Sequence, residues 1–175
     1  MSMAIFVSPF FPSSVVPVRR VFIPLGNVAA RRRLGVPTDQ EKFHGYADAF
    51  SEAGLDINDV PMVQADPWDR DAARMMLDAA PDATAILSMS VMQAIAVINE
   101  ARRRGLSVPR DLSVVGYNDI PDAERSDPPL TTVDGLGVQK GRAAAWIVFE
   151  GGPPRHEILK PRLIVRASTG PAPVR

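Results

Sequence analysis

Cysteine is absent from the sequence, which rules out a disulfide framework and any thiolate metal site. Histidine is almost as scarce: His44 and His156 lie far apart and lack metal-ligand spacing, so no metal and no other cofactor is expected. There is also no excess of charge, because 20 basic side chains are balanced by 20 acidic ones. Such a chain presents no electrostatic footprint for DNA, RNA or an anionic membrane. Catalytic motifs are missing too. No Gly-x-Ser-x-Gly elbow, phosphate loop, nucleophile beside a base, or pair of carboxylates in separated environments can be found, and the expectation is a protein that is not an enzyme.

Long apolar runs are lacking as well. The first 20 residues are the most apolar stretch, but Pro9, Pro12 and Pro17 interrupt it, and it has neither a basic n-region nor a small-x-small cleavage site. It is read as neither an export signal nor a membrane anchor, and a cytoplasmic location is expected. Ala4 to Val7 is open to two readings, a strand or partner-dependent segment on one side and disorder on the other. Residues 1–19 are therefore set apart as an N-terminal segment and 171–175 as a frayed tail.

What remains is a chain of 175 residues, long enough for one well-buried domain, in which strands alternate with helices. "RVFIPL", Arg20 to Leu25, reads as a first strand, followed by a loop from Gly26 to Pro37. Arg31, Arg32 and Arg33 in that loop have no glycine-rich cradle beside them and are read as solvated. Thr38 and Glu41 form a capping box for a helix with Phe43, Tyr46, Ala47 and Phe50 on one face, ended by Gly54. Val60 to Ala65 is a second strand. Asp66-Pro67 opens a second helix packed through Ala72, Ala73, Met76, Leu77 and Ala80. Thr84 to Leu87 is a third strand, and Ser88 or Ser90 caps a third helix with Val91, Ala94, Ile95 and Ile98 on its face. Arg102, Arg103 and Arg104 complement the dipole at that helix's end.

Leu112, Val114, Val115 and Tyr117 form a short, mostly apolar and β-branched run without clean alternation, as expected of an interior parallel strand covered by helices on both faces. Pro128 and Pro129 keep the backbone extended before Leu130 to Val133. A further helix over Gly141 to Phe149 carries Ala144, Ala145 and Val148 on one side, and Leu159 to Arg166 is the last strand. The fold class is α/β with a doubly wound parallel sheet.

In such a sheet the loops at the carboxyl ends of the strands open on one crevice, where ligands bind. Five residues fall there: Thr38 and Lys42 near the start of the first helix, Trp68 at the second, Ser90 at the third, and Asn118 after the fourth strand. Lys42 is placed against the helix dipole, which favours a functional role. Trp68 fits either a stacking platform for a sugar or base, or simple loop packing. Thr38 and Ser90 fit either ligand contacts or plain helix caps.

"VPRDLSVVGYND", then "PPLTTV", a Gly-Arg-Ala-Ala helix and "LIVRAST", in that order and spacing, resemble the effector-binding domain of the LacI/GalR family of bacterial transcription regulators. The resemblance spans roughly Arg20 to Gly170. It implies one lobe of a type I periplasmic-binding-protein-like fold, plus a crossover helix belonging to a truncated second lobe. No helix-turn-helix headpiece precedes it in this sequence, so no direct nucleic-acid binding is expected. The implied function is sensing a small polar, sugar-like effector, with a sugar-binding protein of a transport system as the alternative.

The resemblance also bears on individual residues. Lys42 matches a position where the family usually has an arginine contacting effector, and lysine lacks the bidentate fork. Trp68 is similar to the family's aromatic residue in the second strand-helix loop. Asn118 takes the place of the first acid in a Gly-aromatic-Asp-Asp motif, Ser90 and Val91 replace a frequent Asn-Asp pair, and Gly135 falls where some members have glutamine. Family-like regulators dimerise. A helix at 141–149 without its usual subdomain needs a partner chain, a swapped contact or an unusual dock on its own sheet, and a homodimer is expected.

Overall fold

The structure, a computed structural model, describes residues 21–25, 37–60, 62–64, 71–171 and 173. In chain order the elements are β1 (Val21–Leu25), α1 (Pro37–Glu52), β2 (Met62–Gln64), α2 (Ala72–Ala79), β3 (Ala85–Leu87), α3 (Val91–Arg103), β4 (Ser113–Tyr117), α4 (Pro121–Arg125), β5 (Thr131–Asp134), α5 (Gly137–Glu150) and β6 (Arg162–Ile164). They build one six-stranded sheet in the order β2-β1-β3-β4-β5-β6. Pairings among β1 to β5 are all parallel, in keeping with the alternation of strand and helix.

The sheet is mostly parallel, as expected, and β6 at its edge runs antiparallel to β5 with Arg162 opposite Asp134. Its direction follows from the route of the chain. α5 departs from the carboxyl end of β5, and the chain returns to that same end rather than crossing back over the sheet. α5 also begins four residues before the predicted Gly141, and none of its residues is buried. Ala144, Ala145 and Val148, its expected packing side, are exposed, as are Val138, Trp146 and Phe149. The helix therefore does not dock on its own sheet.

The core lies between the sheet and α2 and α3. Met76, Ile86, Val114, Leu112 and Leu130 are fully buried. Side chains of this size contribute about 1.5–3 kcal/mol each on burial. The predicted face of α2, formed by Ala72, Ala73, Met76, Leu77 and Ala80, is buried throughout. Gly116 brings α3 close to β4: a Cβ there would lie 2.8 Å from Leu130 Cδ2 and 3.4 Å from the Val91 Cα. Only glycine permits that approach, which places the first turn of α3 at the carboxyl end of β4.

Several boundaries differ from the sequence reading. α1 begins at Pro37, so proline takes the first helical position and Thr38 is the second helical residue rather than the cap. Gly54, with φ +72°, ends α1 as expected. α2 begins at Ala72 after Asp71, later than the Asp66-Pro67 start, and residues 65–70 lie outside those described. α4 was not anticipated. The three arginines at the end of α3 do more than face the dipole: Arg103 and Arg104 pair with the buried Glu100 at 2.7 and 2.8 Å, and Arg102 reaches Asp127 at 2.8 Å. Predictions for residues 1–19, for the loop arginines at 31–33 and for most of the 171–175 tail also fall outside the described residues.

Candidate functional site

The carboxyl edge of the sheet is built from the ends of β3, β4 and β5 and the residues that follow them. After β3 the chain passes through Ser88 and Met89 to Ser90, which caps α3 by accepting a hydrogen bond from the Gln93 N–H at 3.2 Å. The Gln93 side chain completes this start by accepting from the Met89 N–H at 3.1 Å. Ser88, the other predicted cap, instead extends the strand ladder by donating its N–H to the Val115 carbonyl at 2.8 Å.

α1 delivers Lys42 to this edge. Its Nζ lies 3.5 Å from the Met89 carbonyl and 4.2 Å from the centre of the Tyr117 ring. A cation over an aromatic face at this distance gains about 0.5–2 kcal/mol, more as water is excluded. Lys42 is the sixth residue of α1, so it sits in the second turn rather than the first, and the dipole argument for its role weakens. The ring beneath it supplies a better one. Burial pushes the Tyr117 hydroxyl above its ordinary pKa by disfavouring the phenolate, so a neutral ring stands at the edge.

β4 then ends in a turn of unusual backbone. Asn118 and Asp119 have φ of +91° and +44°, a left-handed pair without glycine. Asparagine and aspartate tolerate that region better than other side chains do. The Asn118 N–H donates to the Val133 carbonyl at 2.9 Å, and its Oδ1 lies 3.4 Å from where a Cβ on residue 135 would stand. Gly135 thus leaves room for the exposed Asn118 amide. Asp119 turns inward, accepting from Arg166 Nη1 at 2.7 Å. At the end of β5, Asp134 accepts from the Leu136 N–H at 2.8 Å and pairs with Arg162 at 3.2 Å.

Of the five predicted site residues, three are gathered here. Lys42 touches the residue before Ser90 and the residue before Asn118, so three distant parts of the sequence meet at one sheet edge. Thr38 is placed on α1 by its backbone, and Trp68 lies outside the described residues. The sequence reading missed Tyr117 as the ring under Lys42, although it stands beside Asn118 in the same motif. It also missed the Asp119–Arg166 and Asp134–Arg162 pairs, whose partners are 47 and 28 residues apart. Two depressions in the surface lie away from this edge. One is lined by residues at the end of α1 such as Ala47, Gly54 and Ile57, and the other by Ile98, Arg102, Val108 and Asp127. Neither contains a predicted site residue or an aromatic ring. No cluster of His, Cys, Asp or Glu among the described residues could hold a metal ion.

A mostly parallel α/β sheet with polar and aromatic groups gathered at its carboxyl edge defines the class: one lobe of a ligand-binding domain. Residues 27–169 match the periplasmic binding protein-like domain family, and the chain belongs to it. Within that family it has the effector-binding domain of a LacI/GalR-type regulator. It is 43% identical over 97 residues to the HTH-type transcriptional regulator MalR of Streptomyces coelicolor, covering 53% of this chain and 28% of the relative. With the HTH-type transcriptional regulator CelR of Thermobifida fusca it shares 32% identity over 136 residues, covering 73% of this chain and 40% of the relative. Among solved structures, a LacI-family regulator from Sanguibacter keddieii superposes with TM-score 0.74 at 30% identity, covering 87% of this chain and 59% of the other. A CelR–cellobiose complex superposes with TM-score 0.68 at 29% identity, covering 87% of this chain and 47% of the other. The chain thus spans less than half the length of these curated relatives.

Proposed function

We propose that this domain senses a small polar, sugar-like effector and couples its binding to DNA binding by a separate headpiece, in the manner of a LacI/GalR regulator. One observation carries the reading: Lys42 meets the Met89 carbonyl and the Tyr117 ring at the carboxyl edge, beside Ser90 and Asn118. Such an edge suits a sugar, because an aromatic face, a cation, an amide and a hydroxyl offer both stacking and donors to ring hydroxyls. The CelR–cellobiose complex supports the ligand class by similarity. Thr38 and Trp68 belong to the same proposed site.

Coupling requires that effector bind one of two domain states more tightly than the other. The domain itself makes no contact with nucleic acid and performs no chemistry. It acts in the cytoplasm as a homodimer, with the exposed apolar residues of α5 supporting association. No helix among the described residues is long and apolar enough to cross a membrane. Titration calorimetry against mono- and disaccharides, cellobiose included, tests the reading. Saturable binding of at least one sugar, weakened by Asn118→Ala, is expected. A panel without any binding, or binding indifferent to Asn118, overturns it.

A further inference from the structure

The turn that presents Asn118 has a backbone that needs holding. Two successive non-glycine residues with positive φ, at +91° and +44°, persist only where surrounding contacts over-determine them. Backbone contacts supply part of the restraint: Asn118 N–H to Val133 O at 2.9 Å, and Asp119 N–H to Thr132 Oγ1 at 3.4 Å. The second of these is long, and the remaining restraint comes from the far end of the chain.

Arg166 follows β6 by two residues. Its Nη1 donates to Asp119 Oδ1 at 2.7 Å and to the Leu130 carbonyl at 2.9 Å, while its own N–H donates to Thr131 Oγ1 at 2.9 Å. Arg166 is therefore anchored at the start of β5 at two points, its guanidinium on the Leu130 carbonyl and its backbone N–H on Thr131, before the guanidinium grips the turn after β4. Both side chains of the pair are only 19% exposed, so solvent screens the contact weakly. The Arg162–Asp134 pair at the neighbouring β5–α5 junction has the same form, but Arg162 is 67% exposed, and pairs of that kind contribute little. The burial difference singles out Arg166.

We infer that Arg166 is a positioning residue for the effector site: its ion pair with Asp119 holds the left-handed turn and so fixes where the Asn118 amide stands over Gly135. The effector is not touched by Arg166. Loss of the pair lets the turn relax toward ordinary backbone, and affinity falls in proportion to the fraction of molecules that keep the competent turn. A turn populated in about a tenth of molecules binds about tenfold more weakly. The inference rests on the proposed sugar site for its affinity consequence, whereas its structural content stands apart from any ligand.

The test uses the whole chain and three substitutions, Arg166→Gln, Arg166→Lys and Asp119→Asn. Nuclear magnetic resonance reads the Asn118 side-chain amide without ligand, and calorimetry reads the sugar that the wild-type chain binds best. Arg166→Gln and Asp119→Asn are expected to shift or broaden the Asn118 amide resonance, with α2 resonances unmoved, and to weaken binding about tenfold. Arg166→Lys, which retains the charge, should recover part of the loss. An Asn118 resonance identical to wild type in both neutral variants overturns the inference. Should Arg166→Gln fail to fold, the near-isosteric Asp119→Asn decides alone. A wild-type chain that binds no sugar counts against the proposed function, and the resonance measurement still judges the role of Arg166.

Discussion

Ser168→Ala removes the hydroxyl that ties the C-terminal segment to the sheet. Ser168 is completely buried. Its Oγ accepts from the Thr131 N–H at 2.8 Å and donates to the Val114 carbonyl at 2.6 Å, joining β5 to β4. Its own carbonyl accepts from the Val114 N–H at 2.8 Å, so the backbone of the segment stays docked after substitution. Alanine leaves the Thr131 N–H without that acceptor in a dry environment, at about 1–3 kcal/mol, and withdraws one donor from the Val114 carbonyl, at about 0.5–1.5 kcal/mol. Together the loss is about 1.5–4.5 kcal/mol. At roughly 2–4 °C per kcal/mol for a domain of this size, the melting temperature should fall by about 3–18 °C. Urea titration should show a lower midpoint at unchanged slope, since the surface exposed on unfolding is the same. A midpoint within error of wild type would refute the reasoning, because the two hydrogen bonds would then contribute nothing net.

Gly116→Ala should destabilise the domain by about 1–3 kcal/mol, because the added methyl meets Leu130 at 2.8 Å in a filled core. A neutral result in denaturant titration would show that α3 and Leu130 can yield. Lys42→Met should weaken sugar binding by roughly 10- to 100-fold if the ammonium donates a charged hydrogen bond to the ligand. Equal affinity in calorimetry would remove Lys42 from the site. In a Tyr46→Phe background, ultraviolet absorbance should show Tyr117 ionising above the ordinary value of about 10. Because the folded-state value lies above the unfolded one, the stabilisation is fully present below about pH 10 and is lost as pH rises through the folded value. A tyrosine titrating at or below that ordinary value would contradict its burial.

Strands and their packing helices were legible because a central parallel strand carries a mostly apolar run, as at Leu112, Val114 and Val115, and a packing helix carries the spacing seen in Ala72, Ala73, Met76 and Leu77. Burial along β4 nonetheless alternates: Val114 and Gly116 are buried, while Ser113, Val115 and Tyr117 are half-buried. The Ser90 cap was legible because cap chemistry is local. The reversed direction of β6 was not, since a strand's residue pattern is the same read either way and the direction depends on where α5 leads the chain. The start of α5 was hidden by Leu136, whose φ of +57° puts a left-handed, non-glycine residue at the cap position. α4 did leave a signal, Pro121 at the first helical position with Asp122 and Glu124 behind it, within a stretch too short to show periodicity. The site was half legible. Topology alone brings strand ends to one edge, which located Lys42, Ser90 and Asn118. The Asp119–Arg166 pair depends on side chains 47 residues apart, and no local pattern marks such a contact.

The central claim, that effector binds at the carboxyl edge of this sheet, is tested most directly by mapping amide resonance changes as a saturating sugar from the panel is added. The account predicts the largest shifts at Lys42, at 88–90, at 117–119 and at 134–136, with α2 and the end of α3 nearly unmoved. Shifts centred instead on the depression lined by Ile98, Arg102, Val108 and Asp127 would contradict it.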